Sequence, residues 1–121
     1  MQRFTAAVAN TITVDMIAKL DGSAIIVGVV TVYLVADTGT NAGKWFRASD
    51  SSWQAAEASA GTATYKGGCA WQISITASAW TAGVSYSVYG KESGNLNILY
   101  TDNLIEHGVE TTIEIEETSV S

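Results

Sequence analysis

Apolar and polar side chains alternate with a two-residue period in residues 71–90. Trp71, Ile73 and Ile75 share one parity, and polar residues occupy the other. A strand places successive side chains on opposite faces of a sheet, so this period requires a strand with one buried face. The alternation resumes after a short connection that carries Trp80. Residues 71–90 are therefore predicted to form two strands at the centre of an all-β domain.

Two segments that precede this stretch are predicted to pair with each other. Residues 11–20 carry the most regular alternation in the chain, with an apolar residue at every even position. An Asp-Gly turn at residues 21–22 favours a hairpin, so the next apolar run, residues 25–35, is expected beside it. Gly28 interrupts this run and indicates a bulge or the close approach of another backbone. Because the run is apolar on both parities, we expect cover on both faces, with another subunit as the candidate for the second face.

Shorter strands, joined by glycine-containing and polar turns, are predicted for the rest of the chain, which has eleven Gly and no Pro. Residues 54–61 are small and acidic, so an irregular crossover is favoured there over a short helix. Residues 109–116 alternate apolar with mostly acidic side chains, which indicates an edge strand. Turn signals every eight to twelve residues or so are typical of a sandwich or a barrel. The remaining strands are predicted at residues 44–47, 62–66, 84–91 and 96–100.

A chain of 121 residues is long enough for one hydrophobic core. No repeat or linker divides the sequence, so residues 1–121 are predicted to form a single β-sandwich domain. The terminal segments, residues 1–10 and 109–121, are expected to extend beyond the sandwich, because chain ends are free to pair with a neighbouring sheet. Val109, Ile113 and Ile115 are therefore candidate partner contacts.

Residues that carry catalysis are too sparse to predict an enzyme. His107 is the only histidine, which excludes a multi-histidine metal site and is typical of a polar loop residue. Cys69, the only cysteine, follows a Gly-Gly turn on a predicted strand, where a small buried apolar side chain is expected rather than a reactive thiol. It has no partner for an intramolecular disulfide. The protein is therefore predicted not to be an enzyme.

The sequence predicts no metal, cofactor, nucleic acid or membrane as a ligand. Oxygen-bearing side chains recur in residues 37–41, but the segment has too few carboxylates for an EF-hand calcium loop and lacks its distal Glu, so a solvated hairpin loop is favoured. The glycines form neither phosphate-binding motif, so no nucleotide cofactor is expected. A formal charge of −6 would repel the phosphates of a nucleic acid. The most apolar segment, residues 24–36, is too short to span a bilayer, and no signal peptide is expected.

The four tryptophans have different predicted roles. Trp71 is expected in the core because it shares the parity of the neighbouring isoleucines, and Trp80 is expected to close one end of the sandwich. Trp45 and Trp53 flank a turn, where either packing or contact with a partner or ligand would account for them. Trp45, its neighbour Phe46 and Trp53 are therefore candidate contact residues.

Five sequence segments together suggest a family. Residues 20–24 read Leu-Asp-Gly-Ser-Ala, a Val-rich strand ends at Ala36, and a Ser-Ser-Trp turn ends at Trp53. The strand that begins at Trp71 and residues 80–86 complete the pattern. In this spacing, residues 11–100 resemble the small immunoglobulin-like β-sandwich modules in the virion structural proteins of tailed bacteriophages. The resemblance implies an antiparallel sandwich of about seven to nine strands, in a head-decoration, neck, tail or fibre component.

Composition agrees with this implication, because low charge and many β-branched residues suit a protein that works by packing. The expected function is that of a non-enzymatic virion structural protein that acts through protein–protein assembly. The expected partners are further copies of the chain, in a homo-oligomer, and other virion proteins; the protein would be made in the host cytoplasm and located in the virion. A carbohydrate- or receptor-binding β-sandwich is the alternative, since exposed aromatic rings stack on the flat faces of ligands.

Overall fold

In a computed structural model of the chain, the described residues form ten β-strands and one short 3₁₀ helix, Ala77–Ala79. The structure describes residues 2–17 and 23–92, together with the backbone alone of residues 95–106. This composition of elements confirms the all-β prediction. In chain order the strands are β1 (Gln2–Phe4), β2 (Asn10–Asp15), β3 (Val30–Ala36), β4 (Trp45–Arg47), β5 (Ser52–Gln54), β6 (Gly61–Thr62), β7 (Thr64–Gly67), β8 (Ala70–Ile75), β9 (Tyr86–Glu92) and β10 (Asn95–Glu106).

Two sheets pack against each other as a β-sandwich. The larger sheet has the order β1-β10-β9-β3-β4-β5, and β6 pairs with β3 beside this path. The smaller sheet has the order β2-β8-β7. Among the described strands the pairings are antiparallel, except that β1 runs parallel to β10. The prediction of two packed layers of mainly antiparallel strands is therefore confirmed.

The core lies between the sheets and follows the period-two pattern. Strand β3 alternates buried and half-buried residues along its whole length, and β8 buries Trp71, Ile73 and Ile75 on the predicted parity. The indole Nε1 of Trp71 donates to the carbonyl oxygen of Ile25 at 2.8 Å, which satisfies the one polar atom that this ring takes into the interior. Each such aliphatic or aromatic side chain contributes about 1.5–3 kcal/mol when fully buried.

Trp80 closes one end of the sandwich, as predicted. The 3₁₀ helix before it carries the chain from β8 in the smaller sheet to β9 in the larger one. The Trp80 ring stacks on Phe4 with 5.0 Å between ring centroids and meets Tyr86 edge-on at 5.2 Å. Its Nε1 donates to the carbonyl oxygen of Ile75 at 3.1 Å. Aromatic packing therefore joins β1, the crossover and β9 at this end.

The predicted hairpin between the first two long segments is wrong, because β2 and β3 lie in different sheets. Strand β2 pairs with β8, and β3 pairs with β9, β4 and β6. After β2 the chain forms an isolated bridge between Ile17 and Ala24 and then passes to the larger sheet, where β3 begins at Val30 instead of residue 25. Two strands with one apolar face each can bury those faces against each other only when they lie in opposite layers.

The N-terminal segment belongs to the sandwich, whereas the sequence predicts that residues 1–10 extend beyond it. Residues Gln2–Phe4 form β1, in register with Leu104 to Glu106 of β10. Phe4 is 1% exposed and lies in the core. The C-terminal segment 109–121 lies outside the described residues, as do its candidate contacts and His107.

Three smaller predictions differ in outcome. Cys69 is half-buried in the turn between β7 and β8, not on a strand, because Gly67 and Gly68 both adopt positive φ and the turn extends one residue further than expected. Residues 55–60 form the irregular crossover that the sequence favours over a helix. Gly28, with φ of 104°, is approached by the carboxylate of Glu92 and not by another backbone.

Candidate functional site

The three described candidate contact residues lie on two faces of the larger sheet. Strands β4 and β5 pair Trp45 with Gln54 and Phe46 with Trp53. Phe46 is 1% exposed and belongs to the core, so it offers no surface to a partner of the folded chain. Trp53 is half-buried at the rim of the core, and Trp45 lies half-buried on the outer face. The sequence places Trp45 and Phe46 on a strand and Trp53 after the next turn, but it does not predict β5 or the face on which Trp53 lies.

An aromatic cluster covers part of the outer face of the larger sheet. Tyr33 and Tyr89 oppose each other across β3 and β9 and stack with 5.2 Å between centroids. Trp45 meets both rings edge-on, at 6.1 Å from Tyr33 and 5.6 Å from Tyr89. These rings pack on one another, in the manner of cross-strand pairs that stabilise a sheet.

Two charged side chains complete this cluster. The Lys91 ammonium lies 4.9 Å from the centroid of the Tyr33 ring and 3.1 Å from the carboxylate of Glu57. The Tyr89 hydroxyl lies 3.5 Å from the same carboxylate. Burial, with the negative charge of Glu57 as the next cause, raises the pKa of Tyr89 to about 12. The Glu57 carboxylate thus contacts both the ammonium and the hydroxyl of the cluster.

A cleft of about 400 Å³ lies beside the cluster, along the crossover that follows β5. Its charged residues are paired: Glu57 binds Lys91, and the Arg47 guanidinium donates to both carboxylate oxygens of Asp50 at 3.0 and 2.6 Å. The hydrogen bonds from Arg47 and then from Ser52 hold the pKa of Asp50 well below its usual range. These ion pairs stabilise the local fold. Neither Arg47 nor Glu57 therefore presents an unpaired charge to the cleft.

An exposed apolar segment, residues 26–29, precedes β3. Ile26, Val27 and Val29 are 54%, 74% and 48% exposed. Ile17, which bridges to Ala24 just before this segment, is 42% exposed. Apolar surface that is contiguous along the chain in this way is typical of interaction sites.

The chain is anchored on each side of the apolar segment: the Ile25 amide donates to the Met16 carbonyl oxygen at 3.0 Å, and β3 begins at Val30. Ile25 accepts the hydrogen bond from the Trp71 indole and packs its side chain against the core. At Gly28 the Glu92 carboxylate occupies the position that a Cβ would take. The exposure of the flanking valines is therefore set by the fold. The sequence signals this segment through apolar residues on both parities, but it does not show which face stays open.

A pocket of about 330 Å³ lies beyond the other end of β3. Its wall is apolar and aromatic, formed by Ala36, Trp53, Val84 and Tyr86. Its rim is formed by residues 38–41 and by Thr81, which carry hydroxyl and amide groups. We call this feature the loop pocket. The pocket includes Trp53, a predicted contact residue. Val84 and Thr81 have no signal in the sequence, because their turn lies far along the chain from the other lining residues.

Two hydrogen bonds, one of them to a side chain, hold the two sides of the loop pocket together. The amide of Asp37 donates to the carbonyl oxygen of Ser85 at 2.8 Å, and the amide of Ser85 donates to Thr38 Oγ1 at 3.1 Å. A Cβ on Gly39, which has φ of 82°, would lie 2.9 Å from a Val84 methyl group. The loop and the turn are thus in direct contact, and the pocket is formed before any ligand arrives.

Among the described residues, no three His, Cys, Asp or Glu side chains converge as they would around a metal ion. Within that same part of the chain, no helix has the length and apolar character needed to cross a membrane. Within the described residues, the apolar segment and the loop pocket are the two surfaces considered further as binding sites. No protein-family model, curated protein or solved structure matches the chain.

Proposed function

We propose that the chain is a non-enzymatic structural protein of a tailed-bacteriophage virion. In this role it assembles with further copies of itself or with other virion proteins. The observation that carries the proposal is the apolar segment, where Val27 is 74% exposed on a backbone that the fold holds in place.

The energetics of the apolar segment favour assembly. Single exposed aliphatic residues are normal on a protein surface, but three within four residues form a patch. Covering such a patch recovers about 25 cal/mol for each Å² of apolar surface removed from water. Because the chain is anchored on both sides of the segment, at Ile25 and at Val30, covering it costs less conformational entropy than ordering a free loop would.

The phage setting is supported by the resemblance of residues 11–100 to virion sandwich modules. One detail agrees with an immunoglobulin-like sandwich: the buried Tyr86 hydroxyl, at the start of β9, donates to the carbonyl oxygen of Ala79 and accepts from the amide of Thr81. A tyrosine near a strand start that bonds back to the upstream backbone is typical of such domains. A head-decoration, neck, tail or fibre position is equally compatible with these features.

Assembly is tested with Val27→Asp and a matched control, Val8→Asp, which alters another exposed valine far along the chain from the segment. Sedimentation velocity is measured at several protein concentrations. We expect an oligomer for the unaltered chain and for Val8→Asp, and a monomer for Val27→Asp. A strictly monomeric unaltered chain that binds no protein of the purified particle would contradict the proposal. Mass spectrometry of purified particles from the phage that encodes the chain tests virion membership directly.

A further inference from the structure

We infer that the loop pocket is a binding site for a neutral, polyhydroxylated ring, the chemical class of a single sugar unit. This site goes beyond the assembly function proposed above. The apolar segment precedes β3 and the pocket follows it, so the two are separated by the seven residues of that strand, about 20 Å.

The size of the pocket fits a small ligand. Its volume of about 330 Å³ lies at the lower end of the range of ligand pockets, about 300–1,000 Å³. A single six-membered ring is therefore a better match than a polymer or a large cofactor. The hydrogen bonds between Asp37, Ser85 and Thr38 fix the walls, so little ordering is required on binding.

The chemistry of the lining selects against charge. The accessible wall of the pocket is formed by the half-buried Trp53 indole and Val84, because Tyr86 and Ala36 are 1% exposed and lie behind them, and none of the lining residues is ionisable near neutral pH. A phosphate or carboxylate ligand would have to give up its hydration without meeting a cation, which is unfavourable. The C–H faces of a sugar ring instead pack on aromatic and aliphatic surface.

The rim supplies hydrogen-bonding groups that the fold does not use. Within the described part of the chain, the side chains of Thr40, Asn41 and Thr81 form no hydrogen bond, whereas Thr38 spends its hydroxyl on the Ser85 amide. The Tyr86 hydroxyl is likewise occupied by Ala79 and Thr81 backbone groups, so it forms wall and not a recognition group. Two hydroxyls and one carboxamide of the protein thus surround an apolar wall. These groups can hydrogen bond to the neighbouring hydroxyls of a sugar ring that packs on the wall.

Binding is tested by recording amide ¹H–¹⁵N spectra of the full chain during titration with methyl glycosides of glucose, galactose, mannose and N-acetylglucosamine. We expect one of these to shift the amides of residues 38–41 and 81–85 at millimolar concentration. Asn41→Ala and Thr40→Ala should each weaken that binding by roughly twofold to tenfold, the usual contribution of one hydrogen bond. Thr62→Ala, which removes an exposed hydroxyl on β6, should leave the affinity unchanged.

Three results would overturn the assignment. The first is the absence of any shift at the loop pocket with all four glycosides. The second is a shift confined to Tyr33, Trp45 and Tyr89 on the outer face. The third is tighter binding of inorganic phosphate than of any glycoside at the pocket. Trp53→Phe keeps an aromatic wall and is expected to weaken binding without unfolding the chain, so the readout does not depend on a folding defect. Because Val27→Asp leaves the pocket untouched, sugar binding by that variant separates this inference from the proposed assembly.

Discussion

The side-chain amide of Gln2 pairs with the backbone of Thr13 as if it were a peptide group of a neighbouring strand. Gln2 Nε2 donates to the Thr13 carbonyl oxygen at 2.7 Å, and the Thr13 amide donates to Gln2 Oε1 at 3.0 Å. Gln2 belongs to the larger sheet, and Thr13 lies on β2 at the edge of the smaller one. This contact therefore ties the two sheets together and blocks an edge that would otherwise be open to unwanted pairing.

Gln2→Glu is expected to lower the free energy of unfolding by about 1–3 kcal/mol at neutral pH, because a carboxylate cannot donate to the Thr13 carbonyl and leaves it facing a negative oxygen. Below the pKa of an ordinary glutamate, the neutral acid regains a donor, so the difference from the unaltered chain should narrow as pH falls. Urea unfolding measured across this pH range checks both points.

Gln72→Glu is the matched control for this substitution. Gln72 Nε2 donates to the Thr13 hydroxyl at 3.2 Å on the outer face of the smaller sheet. A hydroxyl can rotate and donate to a carboxylate, so this change should stay within about 0.5 kcal/mol. Equal losses for the two variants would contradict the peptide-like role of Gln2.

Tyr86→Phe is expected to destabilise the chain by about 1–3 kcal/mol, because it leaves the Ala79 carbonyl and the Thr81 amide without a partner at the buried end of the sandwich. Tyr65→Phe serves as the comparison, since the Tyr65 hydroxyl donates to the Gly68 carbonyl at the surface, where water can replace it. Urea unfolding of both variants gives the two free energies. A loss for Tyr86→Phe no larger than that for Tyr65→Phe would show that the Tyr86 hydroxyl does not stabilise the connection between β8 and β9.

The sequence predicts the strands and their buried parities better than it predicts their partners. The alternation at Trp71, Ile73 and Ile75 reports burial directly, because a one-residue slip would expose all three. The layer to which a strand belongs depends on contacts with residues far along the chain. The Asp-Gly turn at residues 21–22 is a local signal, and it gives no indication that β2 pairs with β8 across the segment that contains β3.

The candidate surfaces are only partly predictable for the same reason. Trp53 stands out in the sequence as an aromatic residue next to a turn, and it lines the loop pocket. Thr81 and Val84 reach that pocket because the crossover from β8 to β9 brings their turn against residues 38–41. Trp45 appears equivalent to Trp53 in sequence, yet the parity of β4 sends it to the opposite face of the sheet. The residues that line the pocket are therefore determined by the sheet topology and not by the local sequence.

Gly90→Ala is expected to destabilise the chain by about 1–3 kcal/mol, the usual cost of overpacking. A Cβ at this buried position would lie 2.9 Å from the Met16 sulfur and 3.5 Å from a Val14 methyl group of the opposite sheet. In a double-mutant cycle with Met16→Ala, the new methyl group should occupy part of the space that the methionine leaves. The combined loss should therefore be smaller than the sum by at least about 0.5 kcal/mol. Strict additivity, measured by urea unfolding, would contradict this close approach between β9 and the smaller sheet.

Tyr89 is expected to ionise at unusually high pH. Its pKa is raised to about 12, first by burial and then by the charge and hydrogen bond of Glu57, whereas in the unfolded chain it is near the ordinary tyrosine value of 10.0. The unfolded state therefore loses its proton first, so the stabilisation linked to this group is complete below pH 10 and is lost as pH rises towards about 12.

Near-ultraviolet absorbance of tyrosinate, compared between the unaltered chain and Tyr89→Phe, assigns this titration. Glu57→Gln should lower the pKa of Tyr89 part of the way towards its ordinary value, because the negative charge is removed while burial is kept. Ser87→Ala, which alters a half-buried neighbour on the same strand face without touching Glu57, is the control and should leave the titration in place. A pKa of Tyr89 near 10.0 in the unaltered chain would rule out the contact between β9 and residues 55–60.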